Sequence, residues 1–131
     1  MTGFETEFFQ PFDFTQDQLE RHWHSARRDL DIAVKTDIAE VRFKFAYEAF
    51  IKLGIVLIAK QGYKVRSRFG HHYKIIEKMG SLLESEDVLI LGNKMRQERN
   101  ADFYDGGVLI TDADSGEYLE FVINLFGRYG N

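Results

Sequence analysis

The chain has 131 residues, 44% hydrophobic and 15% aromatic, with a formal net charge of −4 and no cysteine. That length and composition describe one domain able to bury a core, not a disordered segment. The absence of cysteine excludes disulfides, thiolate zinc sites and cysteine nucleophiles, and the acidic balance argues against a generic nucleic-acid coat, which needs an excess of Lys and Arg.

Residues 1–14 carry Phe4, Phe8, Phe9, Phe12 and Phe14 among acids and the single proline, Pro11. So many rings in so short a run imply an arm packed on the core or on a second subunit. No basic stretch followed by an apolar run marks a signal peptide. Strand signals are poor from there on: Asp105-Gly106-Gly107 is the sole Asp-Gly turn, and it follows a helical pattern. The expected fold is therefore all-α, an antiparallel up-and-down bundle of four to five helices over residues 15–126.

Thr15 and Gln18 have the spacing of a capping box and open the first helix. Leu19, Trp23, Ala26, Leu30 and Ala33 form its apolar face, which leaves Arg27, Arg28, Asp29 and Asp31 to solvent. His22 and His24 flank Trp23, and a separation of two points them to different sides of the helix. Asp37 is expected to cap a second helix that ends near Gln61, with Gly62 as its left-handed stop. Ile38, Val41, Phe45, Phe50, Leu53, Ile55, Val56, Leu57 and Ile58 cover more than one stripe of that helix. It belongs at the centre of the bundle or also at a subunit interface. Lys44, Glu48 and Lys52 interrupt its apolar run, so it reads as a buried helix and not a membrane span. A cytoplasmic protein without membrane contact is the expectation.

A basic loop over residues 62–70 follows, and Lys60, Lys64, Arg66, Arg68, His71, His72 and Lys74 make a local cationic patch in an acidic chain. The third helix runs from about His71 to Leu83 with Tyr73, Ile76, Met79 and Leu83 inward. The fourth begins at Ser85, where Glu86 and Asp87 complement the helix dipole. After the double glycine, Val108-Leu109-Ile110 is extended, and Thr111 caps a last helix with Tyr118, Leu119, Phe121, Val122, Leu125 and Phe126 inward. No His, Asp and Glu have the spacing of a zincin, and Asp105, Asp112 and Asp114 lack an EF-hand frame, so no metal or other cofactor is expected.

The densest set of anion-binding side chains lies at the end of the fourth helix. Helical steps of three and four place Arg96, Arg99, Asn100 and Phe103 on one side, with Tyr104 one turn beyond Asn100. A guanidinium fork suits phosphate oxygens, Asn supplies a donor and an acceptor, and a ring stacks on a base. The same residues also admit a structural role. Arg96 and Arg99 can neutralise Glu48, Glu77 or Asp102, and Asn100 and Tyr104 can tie the helix end to the glycine turn.

The order of these features resembles the HEPN superfamily of small helical-bundle proteins. The matching pieces are Tyr47-Glu48-Ala49-Phe50, Gly62-Tyr63, Gly70-His71-His72, Arg96-x-x-Arg99-Asn100-x-x-x-Tyr104 and Val108-Leu109-Ile110-Thr111, spanning roughly residues 15–126. The resemblance implies a homodimer in which two copies of an Arg–polar–His motif meet. Its members include metal-independent ribonucleases, often toxins of toxin–antitoxin pairs, and proteins that bind nucleotides or accompany a minimal nucleotidyltransferase. Arg99 and Asn100 match the motif, whereas Tyr104 stands where the family has His. Tyr titrates near 10 against about 6.5 for His, so it is a poor base at neutral pH. The resemblance thus implies binding of RNA or a nucleotide phosphate by Arg96, Arg99, Asn100, Tyr104, His71, His72 and Glu48, without efficient catalysis. The alternatives are a metal-independent ribonuclease whose catalytic set is Arg99, Asn100 and Tyr104, or Arg99 with the nearby His71 or His72, and a purely structural helical dimer.

Overall fold

Thr15 begins the first helix as its spacing to Gln18 predicts. Its hydroxyl accepts from Gln18 N at 3.1 Å, and Gln18 Oε1 accepts from Thr15 N at 2.9 Å. The computed structural model describes residues 3–104 and 110–129, without the side chains of 102–104. In it, a short strand β1 (Phe9–Pro11) precedes α1 (Gln16–Lys35) and α2 (Ala39–Lys60). Strand β2 (Tyr63–Val65), α3 (His71–Leu82), α4 (Glu86–Tyr104) and α5 (Asp112–Tyr129) follow. The molecule is an all-α bundle with one small antiparallel ribbon.

The second helix is central, as its all-round apolar sequence requires. It packs against the other four helices and against β2, and buries Phe43, Tyr47, Phe50, Leu53 and Ile58. Each large apolar side chain removed from water contributes about 1.5–3 kcal/mol. Glycines set how closely the helices approach. A Cβ on Gly54 would lie 2.6 Å from Ile75 Cγ2 and from Met79 Sδ, so side chains of α3 pack directly on the α2 backbone there. Gly92 plays the same part for α4, against Phe50 and Ile76.

Several helix ends follow the sequence. Gly62 has φ +86° just past α2, the left-handed conformation that a residue without Cβ adopts freely. Ser85 Oγ accepts from Val88 N, and Thr111 Oγ1 accepts from Asp114 N at 3.0 Å, so each caps the helix it precedes. Asp37 does not cap α2. The helix starts one residue later than expected, Ile38 is its N-cap, and the hydroxyl of Thr36 takes the Ile38 N–H instead.

The arm packs on its own chain. Phe9 is fully buried, Phe4 stacks on Tyr63 with ring centroids 3.9 Å apart, and β1 pairs with β2 in the register Phe9–Val65, Gln10–Lys64, Pro11–Tyr63. A third of the basic loop, Tyr63–Val65, is therefore strand, where a loop was expected. Cations of the loop and of α3 hold the arm: Arg66 Nε donates to Thr6 O and Arg68 to Glu7 O, Lys74 Nζ to Glu5, and the buried Lys78 to Gly3 O.

Two further expectations are corrected. Asp29 is 4% exposed rather than solvated, and Lys52 reaches across from α2 to pair with it at 2.7 Å. Tyr73 is exposed rather than inward, because Ile75, Ile76 and Met79 already fill the buried side of α3. No helix among the described residues is long and apolar enough to cross a membrane. The double glycine and most of the extended segment expected after it, residues 105–109, lie outside the described residues.

Candidate functional site

The first turn of α3 faces the C-terminal half of α4 across a cleft of about 360 Å³. Arg96, Arg99 and Asn100 line it from α4, where helical spacing puts them on one side. His71, His72 and Tyr73 line it from α3, and the preceding turn adds Arg68, Phe69 and Gly70. Gly70 has φ +81° and gives α3 no side-chain cap, so the positive end of that helix opens on the same space. Met95, fully buried one residue before Arg96, anchors α4 here.

Contacts within the cleft set the orientation of its groups. The Arg96 guanidinium lies over the Tyr73 ring, 5.4 Å from its centroid, and Arg96 Nε donates to Asn93 Oδ1 at 3.4 Å. An Arg99 NH1 donates to Asn100 Oδ1 at 3.4 Å, which leaves the Asn100 amide nitrogen with its two donor hydrogens. The Nδ1 of His71 sits 2.6 Å from Arg68 O, tying the turn to the helix. Nδ1 of His72 is 2.9 Å from the Tyr47 hydroxyl. Tyr47 comes from the core face of α2, so the bundle interior holds one wall of the site in place.

Burial and the neighbouring cations act together on the titratable groups of the cleft. Burial, then the neighbouring His71, Arg99 and Arg96, push His72 down to about 4 from its ordinary 6.5. Its imidazole is neutral at pH 7 and can serve as acceptor or donor but not as a charge. Burial holds the Tyr47 phenol protonated well above its ordinary value, against the opposing pull of Arg99 and Arg96, so it is able to donate to His72. Both histidines and the two arginines thus share one field.

Of the residues singled out from sequence, Arg96, Arg99, Asn100, His71 and His72 are brought together. Glu48 is half-buried on α2, acts on Tyr47 through its charge, and does not line the cleft. The side chain of Tyr104 lies outside the described residues, although its backbone closes α4. Phe69 and Tyr73 are additions from the structure, and Arg68 joins them from the cationic patch read in the sequence. Phe69 carried a usable signal: an aromatic between Arg68 and Gly70 has no apolar neighbour with which to form a helical or strand face. Among the described residues no group of three His, Asp or Glu is arranged to hold a metal. No family model, no curated protein and no solved structure matches the chain.

Proposed function

We propose that this is a HEPN-like domain that binds RNA or a nucleotide phosphate in the cleft between α3 and α4. One observation carries the reading: two guanidiniums from α4, a third from the turn before α3 and the open end of a helix surround one cleft. Permanent cations at such a site favour phosphate, and the cleft lies within the roughly 300–1,000 Å³ range of ligand pockets. Arg99 holds phosphate, Asn100 orients the sugar through its amide, and Arg96, braced on Tyr73, supplies a second charge. In this reading the domain acts as a homodimer, with Tyr104 adding a hydrogen bond or a stacking face. It serves as one member of a toxin–antitoxin or nucleotidyltransferase-associated module.

Arg99→Ala is expected to weaken binding of a single-stranded RNA oligomer about 10–100-fold, the cost of losing a charge-assisted contact, with the melting temperature within a few degrees of wild type. Fluorescence anisotropy and thermal unfolding measure the two. A large loss of stability with unchanged affinity would assign Arg99 to the scaffold.

A ribonuclease is the second reading, favoured by the position of His71 and His72 in the same cleft. Nε2 of His72, whose Nδ1 faces Tyr47, is the candidate base for a 2′-hydroxyl, a weak one because its proton affinity is lowered, while an arginine stabilises the phosphorane. Incubation of RNA with the protein in EDTA tests it, and cleavage no greater than that of Arg99→Ala rejects it.

A further inference from the structure

Phe69 is fully exposed, on the turn that joins β2 to α3. A phenylalanine ring left wholly in water gives up the burial that stabilises the other rings of this chain. Phe4 stacks on Tyr63, Phe8 sits under the Lys74 ammonium and Phe12 packs on Phe14, but among the described residues Phe69 lines only the cleft. Its neighbours there are Arg68 on the same turn and Arg96 and Arg99 across the space. Gly70, with φ +81°, turns the chain into α3 directly after it and presents the ring at the rim.

We infer that Phe69 is a stacking platform for an unpaired base, and that the ligand of this cleft is a single-stranded oligonucleotide rather than a duplex or a base-free phosphate. The inference rests on the phosphate-binding reading above and narrows it. Arginines hold backbone phosphates whatever the sequence, whereas an aromatic face adds affinity only when a base is free to leave its neighbours. In a duplex both faces of each base are already covered, so the ring gains nothing. Tyr73, exposed and braced beneath Arg96, extends the surface along the strand.

The test compares an adenine octanucleotide of RNA, the same RNA in a duplex, and an abasic oligomer with the same number of phosphates. Affinity is read by anisotropy and solution mass by light scattering. Wild type is expected to bind the single strand about tenfold more tightly than the abasic oligomer. Phe69→Ala removes that difference, leaves abasic binding within about twofold, and Phe69→Trp restores it. Because the ring is fully exposed and packs against no core residue among those described, neither variant should change the melting temperature.

If Phe69→Ala binds the octanucleotide as wild type does while Arg99→Ala does not, the stacking role is overturned and the phosphate site survives. If wild type binds neither oligomer, both fall together. Should Phe69→Ala instead reduce the solution mass from dimer to monomer, the ring belongs to a second copy of the chain, and the inference is equally overturned.

Discussion

Gly92→Val is expected to destabilise the chain by about 3 kcal/mol, a fall of roughly 10 °C in melting temperature. Even the first added carbon would lie 2.7 Å from Phe50 Cζ and 2.8 Å from Ile76 Cγ2. Both neighbours are fully buried and neither has a flexible end to swing away. The gain in helix propensity over glycine, under about 1 kcal/mol, does not offset that overlap. Gly116, in α5, is the control: nothing lies within 4 Å of its Cβ position, so Gly116→Ala should stabilise by about 0.5–1 kcal/mol. Chemical denaturation of the two variants reads opposite signs. The first also bears on function, because Gly92 lies one helical turn before Arg96. Forcing α4 off α2 and α3 carries Arg96 and Arg99 away from His72, so ligand affinity should fall with stability.

Lys52→Met is expected to cost about 3 kcal/mol. Its ammonium is 2.7 Å from Asp29 and also donates to Ser25 Oγ at 2.9 Å, while the Asp29 carboxylate is 6% exposed. Removing the cation strands a buried negative charge, and that penalty exceeds the net worth of the pair. The value is set at the lower end of the range for buried pairs because the Lys52 side chain remains 33% exposed and partly screened. Asp29→Leu combined with Lys52→Met should return stability to within about 1 kcal/mol of wild type, since two apolar groups replace two charges. A double variant as unstable as the single one would show that shape at this crossing, not charge, sets the cost.

Local signals were read most directly from the chain. The Thr15–Gln18 box, the Gly62 stop and the Thr111 cap depend on residues three or four apart, and each is formed as its spacing implies. The three cleft residues on α4 belong to this class, because helical geometry alone puts Arg96, Arg99 and Asn100 on one side. What escaped the sequence depends on packing between distant segments. Asp29 looks solvated on the α1 helical wheel and is buried only because α2 crosses there with a lysine of the right reach. The β1–β2 pairing is three residues long and joins segments more than fifty positions apart, too short to leave an alternating pattern. Tyr73 has the spacing of a core residue but faces Arg96, since Ile75 and Ile76 take the interior. The α3 half of the cleft required the relation of α3 to α4, which no local rule supplies.

The proton on His72 reports most directly on whether this cleft takes phosphate. In the free protein the imidazole should titrate near 4, held down by burial and by His71, Arg99 and Arg96. A bound phosphodiester cancels much of that positive field, so the value should rise, and by linkage affinity should increase as pH falls from about 6 toward 4. Imidazole NMR with and without a uridine oligonucleotide, whose charge is constant over that range, makes the comparison. An upward shift for His72 that disappears in Arg99→Ala is the predicted result. An unchanged titration in the presence of saturating oligonucleotide, or a free-protein value near 6.5, would contradict it.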